Sequence, residues 1–141
     1  MDNVRRIKKK LYYDCKESIL MKFINECVTD LQVGVLAEFN TEGLISSRTN
    51  GRIIGIVSRF YQTQRSIDDE TLINVAEVTA TGWANNVLLS GSASWQGCDL
   101  YANSDRLSAT PNGDVVAQLI PRTLGEAQVD FVDGETVTVV L

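Results

Sequence analysis

Val132-Asp133-Gly134-Glu135-Thr136-Val137-Thr138-Val139-Val140-Leu141 is the stretch on which the reading of the fold turns. Its Asp-Gly pair tolerates the positive φ of a tight turn. The residues after it alternate, with Val137, Val139 and Leu141 on one side of an extended chain and Thr136 and Thr138 on the other. A period of two is the pattern of a half-buried strand, whereas a helix repeats every three to four residues. The same pattern extends back through the chain. Ten glycines punctuate it, and Thr49-Asn50-Gly51 and Pro111-Asn112-Gly113-Asp114 are further turn sequences. Between them lie β-prone runs at 32–38, 52–61, 72–79, 87–89, 99–102 and 115–120. Many short strands separated by turn signals predict a mainly-β domain, a small β-sandwich or barrel, over residues 31–141. The polar run 62–70 (QTQRSIDDE) between two of these strands predicts a projecting loop.

Residues 1–30 read differently, as a basic N-terminal helix or extended arm. Val4, Ile7, Leu11, Cys15, Ile19, Phe23 and Cys27 recur in steps of three and four, which places them on one stripe of a helix. Lys8, Lys9 and Lys10 would then sit in its first half, where positive charge opposes the macrodipole. The pattern therefore predicts a helix over 11–27 preceded by an arm over 1–10. Ile19-Leu20-Met21 and Phe23-Ile24 are equally compatible with a strand. Charge divides the chain at the same place. Residues 1–24 carry seven Lys/Arg against three Asp/Glu, and residues 25–141 carry six against fifteen.

Composition excludes several classes of function. A chain of 141 residues, 44% apolar and 22% charged, has the size and balance of one globular domain. No apolar run approaches the roughly 20 residues that cross a bilayer, so no membrane partner is expected. Tyr12-Tyr13-Asp14-Cys15-Lys16-Glu17 follows the basic run where a secretory signal needs its apolar stretch, so secretion is not expected. Cys15, Cys27 and Cys98 are odd in number and widely spaced, which suits free thiols in a reducing compartment. Histidine is absent from the sequence, and with it go the commonest general base and zinc ligand. The glycines form neither a Walker A loop nor GxGxxG, and Asp68-Asp69-Glu70 reads as a solvated turn. The expectation is a protein that is not an enzyme, with no catalytic residue, no metal and no cofactor. Val116-Ala117-Gln118-Leu119-Ile120 faintly resembles a motif of trimeric dUTPases. That family's Gly-rich tail motif and water-activating Asp context are missing, leaving a degenerate barrel of that type as a remote alternative.

The candidate partner-binding residues are cations and neighbouring apolar side chains of the N-terminal segment. Arg5, Arg6, Lys8, Lys9 and Lys10 would meet an acidic protein surface, with Leu11, Tyr12, Tyr13, Ile19 and Phe23 as the apolar anchor. Exposed ion pairs contribute only about 0–1 kcal/mol each, against roughly 1.5–3 kcal/mol for burying a large apolar side chain. The charges should steer and the apolar residues should hold. The acidic body would repel phosphates, so no direct nucleic-acid contact is expected. Trp95, in Ser94-Trp95-Gln96-Gly97, is a further candidate contact, because an indole suits a surface with one apolar and one polar side.

The order of these segments from residue 33 onward resembles the small β-domain of tailed-phage capsid decoration (cement) proteins. The resemblance runs through Val33-Gly34-Val35-Leu36-Ala37, the Gly51-to-Gly55 segment (NGRIIGIVS), Gly97-Cys98-Asp99-Leu100-Tyr101, and Arg106-Leu107-Ser108. It continues through the Asn112-Gly113 turn and the strand at 115–120, and closes on Gly134-Glu135-Thr136-Val137-Thr138-Val139-Val140-Leu141. Cys98 between Gly97 and Asp99, and Ala117 where a second glycine is common, depart from the family pattern. Residues 1–30 have no counterpart. The resemblance implies a structural virion protein made in the host cytoplasm. It would clip onto the exterior of the assembled shell through the major capsid protein, associate with itself as a homotrimer, and stabilise the capsid. The alternative is a receptor- or carbohydrate-binding β-module of a phage fibre or baseplate.

Overall fold

A computed structural model describes residues 18–24, 27–123 and 128–141. Its strands are β1 (Ile19–Ile24), β2 (Leu36–Phe39), β3 (Ile45–Ser47), β4 (Gly55–Ser66), β5 (Asp69–Thr81), β6 (Trp83–Ser90), β7 (Asp99–Asn103), β8 (Arg106–Ser108), β9 (Ala117–Leu119) and β10 (Thr136–Val140). No helix occurs among the described residues, and the mainly-β class is as expected. The strands form an open sheet, ordered β1-β5-β4-β2-β3, and a closed barrel, ordered β10-β6-β8-β7-β9. All neighbours are antiparallel except β6 and β8, which run parallel with Leu89 opposite Leu107.

The helix expected over 11–27 needs correcting where it is described. Residues 11–17 and 25–26 lie outside the described residues, but Ile19–Ile24 is strand β1. It pairs antiparallel with β5, with Met21 opposite Val78 and Phe23 opposite Ala76. The helical stripe drew on every third or fourth apolar residue. In this segment the side chains that reach a core, Met21 and Phe23, are two residues apart. The polar run 62–70 is likewise not a loop but the outer half of the β4–β5 hairpin, turning at Ile67-Asp68.

Two apolar cores lie one on each side of the sheet. The barrel is filled by Ala84, Val87, Leu89, Leu100, Ala102, Leu107, Ala117, Leu119, Val137 and Val139. Strand β10 shows why its sequence alternates: Val137 and Val139 point inward, whereas Thr136 is exposed and Thr138 half-exposed. Leu36 of β2 and Ile56 of β4 add to this core, while Val35, Ala37 and Val57 enter a second core with Cys27, Leu31, Ile45, Ala76 and Val78. Strands buried on both faces read as continuous apolar runs, which explains residues 35–37 and 53–57. Cys27 and Cys98 are free thiols, and burial pushes both above the ordinary thiol range.

The chain passes from sheet to barrel at Gly82, in the left-handed region, where Leu141 donates to the Gly82 carbonyl at 2.8 Å. A second junction is made by residues 34–36. Gly34 donates to the Val57 carbonyl of the sheet at 2.8 Å and accepts from Leu88 of the barrel at 3.0 Å, and Leu36 donates to the Asp105 carbonyl at 2.7 Å. Arg48 adds a third link, with Nη1 donating to the Ser104 carbonyl at 3.1 Å and Nε to the Gly51 carbonyl at 2.7 Å. Beside it the buried carboxylate of Glu38 accepts from the Thr49 amide at 2.6 Å and the Thr49 hydroxyl at 2.9 Å.

These bonds have a consequence in acid. Thr49's amide holds the Glu38 carboxyl below its ordinary pKa, and Val132's amide, followed by Arg122, does the same for Glu135. A carboxylate whose folded pKa is depressed contributes stability that is complete above its unfolded value and lost as pH falls through the folded one. The urea midpoint is therefore expected to fall as pH drops through and below the ordinary glutamate range. In the double variant Glu38→Gln, Glu135→Gln the curve should start lower at neutral pH and be flatter in acid. An unchanged acid slope would contradict this assignment.

Candidate docking surface

The β4–β5 hairpin extends beyond its neighbours in the sheet. Strand β2 pairs with β4 only at Ile56 and Gly55, and β1 pairs with β5 only from Val75 onward, so residues 62–73 form a two-stranded ribbon. Its side chains explain the polar sequence: Gln62, Thr63 and Gln64 are exposed, while Ile73 on the returning strand is buried. The base of the ribbon is fixed by Gln62 Nε2 donating to Asn74 Oδ1 at 2.7 Å and by Asn74 Nδ2 donating to the Cys27 carbonyl at 3.2 Å. The Arg59 guanidinium lies 4.4 Å from the centre of the Tyr61 ring. At the tip Ile67 is 96% exposed beside Asp68, and Leu72 is 57% exposed on the returning strand.

Strand β1 supplies the second part of this surface. Its start is held to the barrel by the Ser18 hydroxyl, which accepts from the Trp83 amide at 3.0 Å and lies 3.1 Å from the Trp83 carbonyl. Ile19, Leu20 and Ile24 remain about half exposed or more. Phe23 turns inward, with its ring edge-on to Phe39 (centroids 6.1 Å apart, planes at 83°), and Phe39 is itself 52% exposed. Large apolar side chains are thus presented to water along β1, on β2 and on the hairpin.

Of the anticipated contact residues, Arg5, Arg6, Lys8, Lys9, Lys10, Leu11, Tyr12 and Tyr13 lie outside the described residues. Ile19 and Phe23 share β1, the first exposed and the second half-buried. Trp95 is elsewhere, half-buried in the β6–β7 connection of the barrel. There its amide donates to Asp130 Oδ1 at 3.2 Å and its carbonyl accepts from the Arg122 amide at 2.9 Å. Sequence reasoning did not single out Leu20, Ile24, Phe39, Ile67 or Leu72. The available signal was Ile67, the one aliphatic residue within the polar run 62–70.

A groove of about 470 Å³ on the barrel includes Trp83, Asn85, Arg122, Phe131, Glu135 and Thr138 in its lining. Its charged groups are committed to each other. Arg122 Nη2 contacts Glu135 Oε1 at 2.9 Å and Oε2 at 3.2 Å, Arg122 Nε donates to the Val129 carbonyl at 2.7 Å, and the guanidinium stacks 4.1 Å from the centre of the Phe131 ring. Glu135 Oε2 also accepts from the Val132 amide at 2.9 Å. This clamp holds the segment before β10 against the barrel. Among the described residues no group of His, Cys, Asp and Glu is placed to hold a metal ion, and no helix is long and apolar enough to cross a membrane. No protein-family model, curated protein or solved structure matches the chain.

Proposed function

We propose that this chain is a structural virion protein that binds the exterior of an assembled capsid shell, through the major capsid protein, and braces it. What carries the reading is the apolar surface on the open sheet and its projecting hairpin, at Ile19, Leu20, Ile24, Phe39, Ile67 and Leu72. The barrel side also exposes Val115, Val129 and Val132, but on connecting segments and not on a projecting ribbon. The barrel, closed and internally filled, offers no strand edge and serves as the rigid body. Apolar side chains on a projecting ribbon suit insertion between subunits of a larger assembly. The segment resemblance to capsid decoration proteins supplies the identity of that assembly. On this reading the cations at residues 5–10 steer the chain to an acidic shell surface, and the apolar residues hold it.

The groove at Trp83 favours a second reading, a carbohydrate- or receptor-binding module. It is weaker, because Arg122 and Glu135 are bonded to one another and leave the groove few charged groups to offer a ligand.

Cosedimentation of the full chain with assembled tailed-phage shells, and separately with unassembled capsid subunits, tests the proposal. Saturable pelleting with shells alone is expected. The double variant Ile67→Asp, Leu72→Asp should keep its circular dichroism and bind at least tenfold more weakly, since each large apolar side chain buried is worth roughly 1.5–3 kcal/mol and about 1.4 kcal/mol is tenfold. No binding by the unaltered chain, or equal binding by the variant, would overturn it.

A further inference from the structure

Exposed strand edges invite pairing, and folded proteins cover, charge or shorten them. Among the described residues several edges are closed or covered. Strands β6 to β10 close on themselves as a barrel. The outer edge of β3 is covered by residues 27 and 28: Cys27 forms a parallel bridge with Ile45, and the Val28 amide donates to the Ile45 carbonyl at 3.0 Å. Among the described residues two stretches of edge have no partner strand: the outer half of the β4–β5 hairpin, whose exposed Gln62, Thr63, Gln64 and Glu70 are polar or charged, and the outer edge of β1. The usual defences of β1 are slight. It is six residues long, contains no proline and carries one charge, Lys22, which lies opposite Glu77 of β5. Ile19, Leu20 and Ile24 stand 55%, 56% and 49% exposed along it.

We propose that β1 is the self-association surface of this protein, pairing antiparallel with β1 of a second copy about a twofold axis to give a continuous ten-stranded sheet. A head-to-tail arrangement would set the apolar edge of β1 against the polar edge of the outer hairpin, whereas pairing β1 with itself joins apolar surface to apolar surface. Pairing the same edge of two copies is isologous, which gives two copies. This differs from the homotrimer implied by the resemblance and does not depend on the shell-binding reading; it places Ile19, Leu20 and Ile24 at the seam between copies and leaves Phe39, Ile67 and Leu72 for the shell.

The register follows from side-chain facing. Met21 and Phe23 point to the sheet's own core, and Lys22 points to the other face with Glu77. Opposed residues in an antiparallel pair share a face, so a twofold axis normal to the sheet must pass beside a residue and not between two. Centred on Lys22, it would set two ammonium groups directly opposite each other, which is destabilising. Centred on Leu20, it would leave Phe23 and Ile24 beyond the partner's strand. Centred on Met21, it sets Met21 against Met21, Ile19 against Phe23 and Leu20 against Lys22. The methylene stem of Lys22 can then cover Leu20 while its ammonium stays in water. The Met21-centred register joins the most apolar surface and opposes no like charges.

Sedimentation velocity of the full chain at micromolar concentrations is expected to give twice the 15.6 kDa chain mass. Leu20→Lys, which places two cations opposite one another at each end of the pair, should give the monomer with an unchanged circular dichroism spectrum. Met21→Cys, in a chain with Cys15→Ser and Cys98→Ser, should be joined into dimers by a short bifunctional thiol reagent, and Ile24→Cys in the same background should not. A trimer, a dimer that survives Leu20→Lys, or cross-linking at Ile24 but not at Met21 would overturn the proposal. A monomer would overturn it too. If the amides of 19–24 in that monomer resist hydrogen exchange, the edge is covered by another part of the same chain.

Discussion

Gly34→Ala is expected to lower the free energy of unfolding by about 3 kcal/mol, combining roughly 1–2 kcal/mol for a left-handed non-glycine residue with roughly 1–3 kcal/mol for overpacking. Gly34 has φ +94°, and a Cβ added there would sit on the Asn86 carbonyl oxygen, with the Leu88 backbone and side chain close behind. The two nearest, the Asn86 carbonyl and the Leu88 amide nitrogen, are backbone of β6 and cannot swing aside as a surface side chain would. Displacing residue 34 also strains the bonds it makes to Val57 in the sheet and Leu88 in the barrel, so the damage falls on the junction between the two halves. Urea unfolding followed by the fluorescence of Trp83 and Trp95 measures it. A loss below about 0.5 kcal/mol, the range of ordinary surface substitutions, would show that the junction is not built as described.

Leu107→Ala is expected to cost about 3–4 kcal/mol, within the range for deleting a fully buried leucine when the cavity cannot collapse. Leu107 is fully buried on β8, opposite Leu89 of β6 and Ala102 of β7. Closure of the barrel by hydrogen bonds on every side limits how far the walls can move inward. Leu20→Ala, on the exposed strand, should change stability by less than about 0.5 kcal/mol. The barrel core includes Leu36 and Ile56 from the sheet, so Leu107→Ala should shift a single thermal transition in which sheet and barrel unfold together. Two separated transitions would indicate that the shared core does not couple them.

The elements that were legible in sequence are those whose local pattern reports their burial directly. Strand β10 has one wet face and reads as alternation, and β2 and β4 serve two cores and read as apolar runs bounded by glycines. Strand β1 reads in sequence as either helix or strand because it lies at an edge. With water on its outer side it holds apolar residues on both faces, so ILMKFI carries no period of two. The outer hairpin reads as a loop in sequence because Ile67-Asp68 lacks the Asn-Gly or Asp-Gly of a recognisable tight turn and the run 62–70 is polar except at Ile67. Strands β3 and β8, three residues each, are too short to show a period. The parallel β6–β8 pair depends on residues 89 and 107 meeting, which no local signal reports. Of the residues anticipated as contacts, Ile19 falls among the exposed apolar side chains of the open sheet and Phe23 is half-buried beside it. The exposure of Ile67, Leu72 and Phe39 follows from which edges and tips the sheet leaves uncovered, and no local signal reports which those are.

Electron cryomicroscopy of tailed-phage shells incubated with the full chain tests the shell-binding reading most directly. The expected result is ordered density of this domain on the outer surface of the capsid, with the β4–β5 hairpin and the open sheet against the shell and the barrel facing solvent. Bare shells, density confined to a fibre or baseplate, or a domain seated on the shell by its barrel would contradict it.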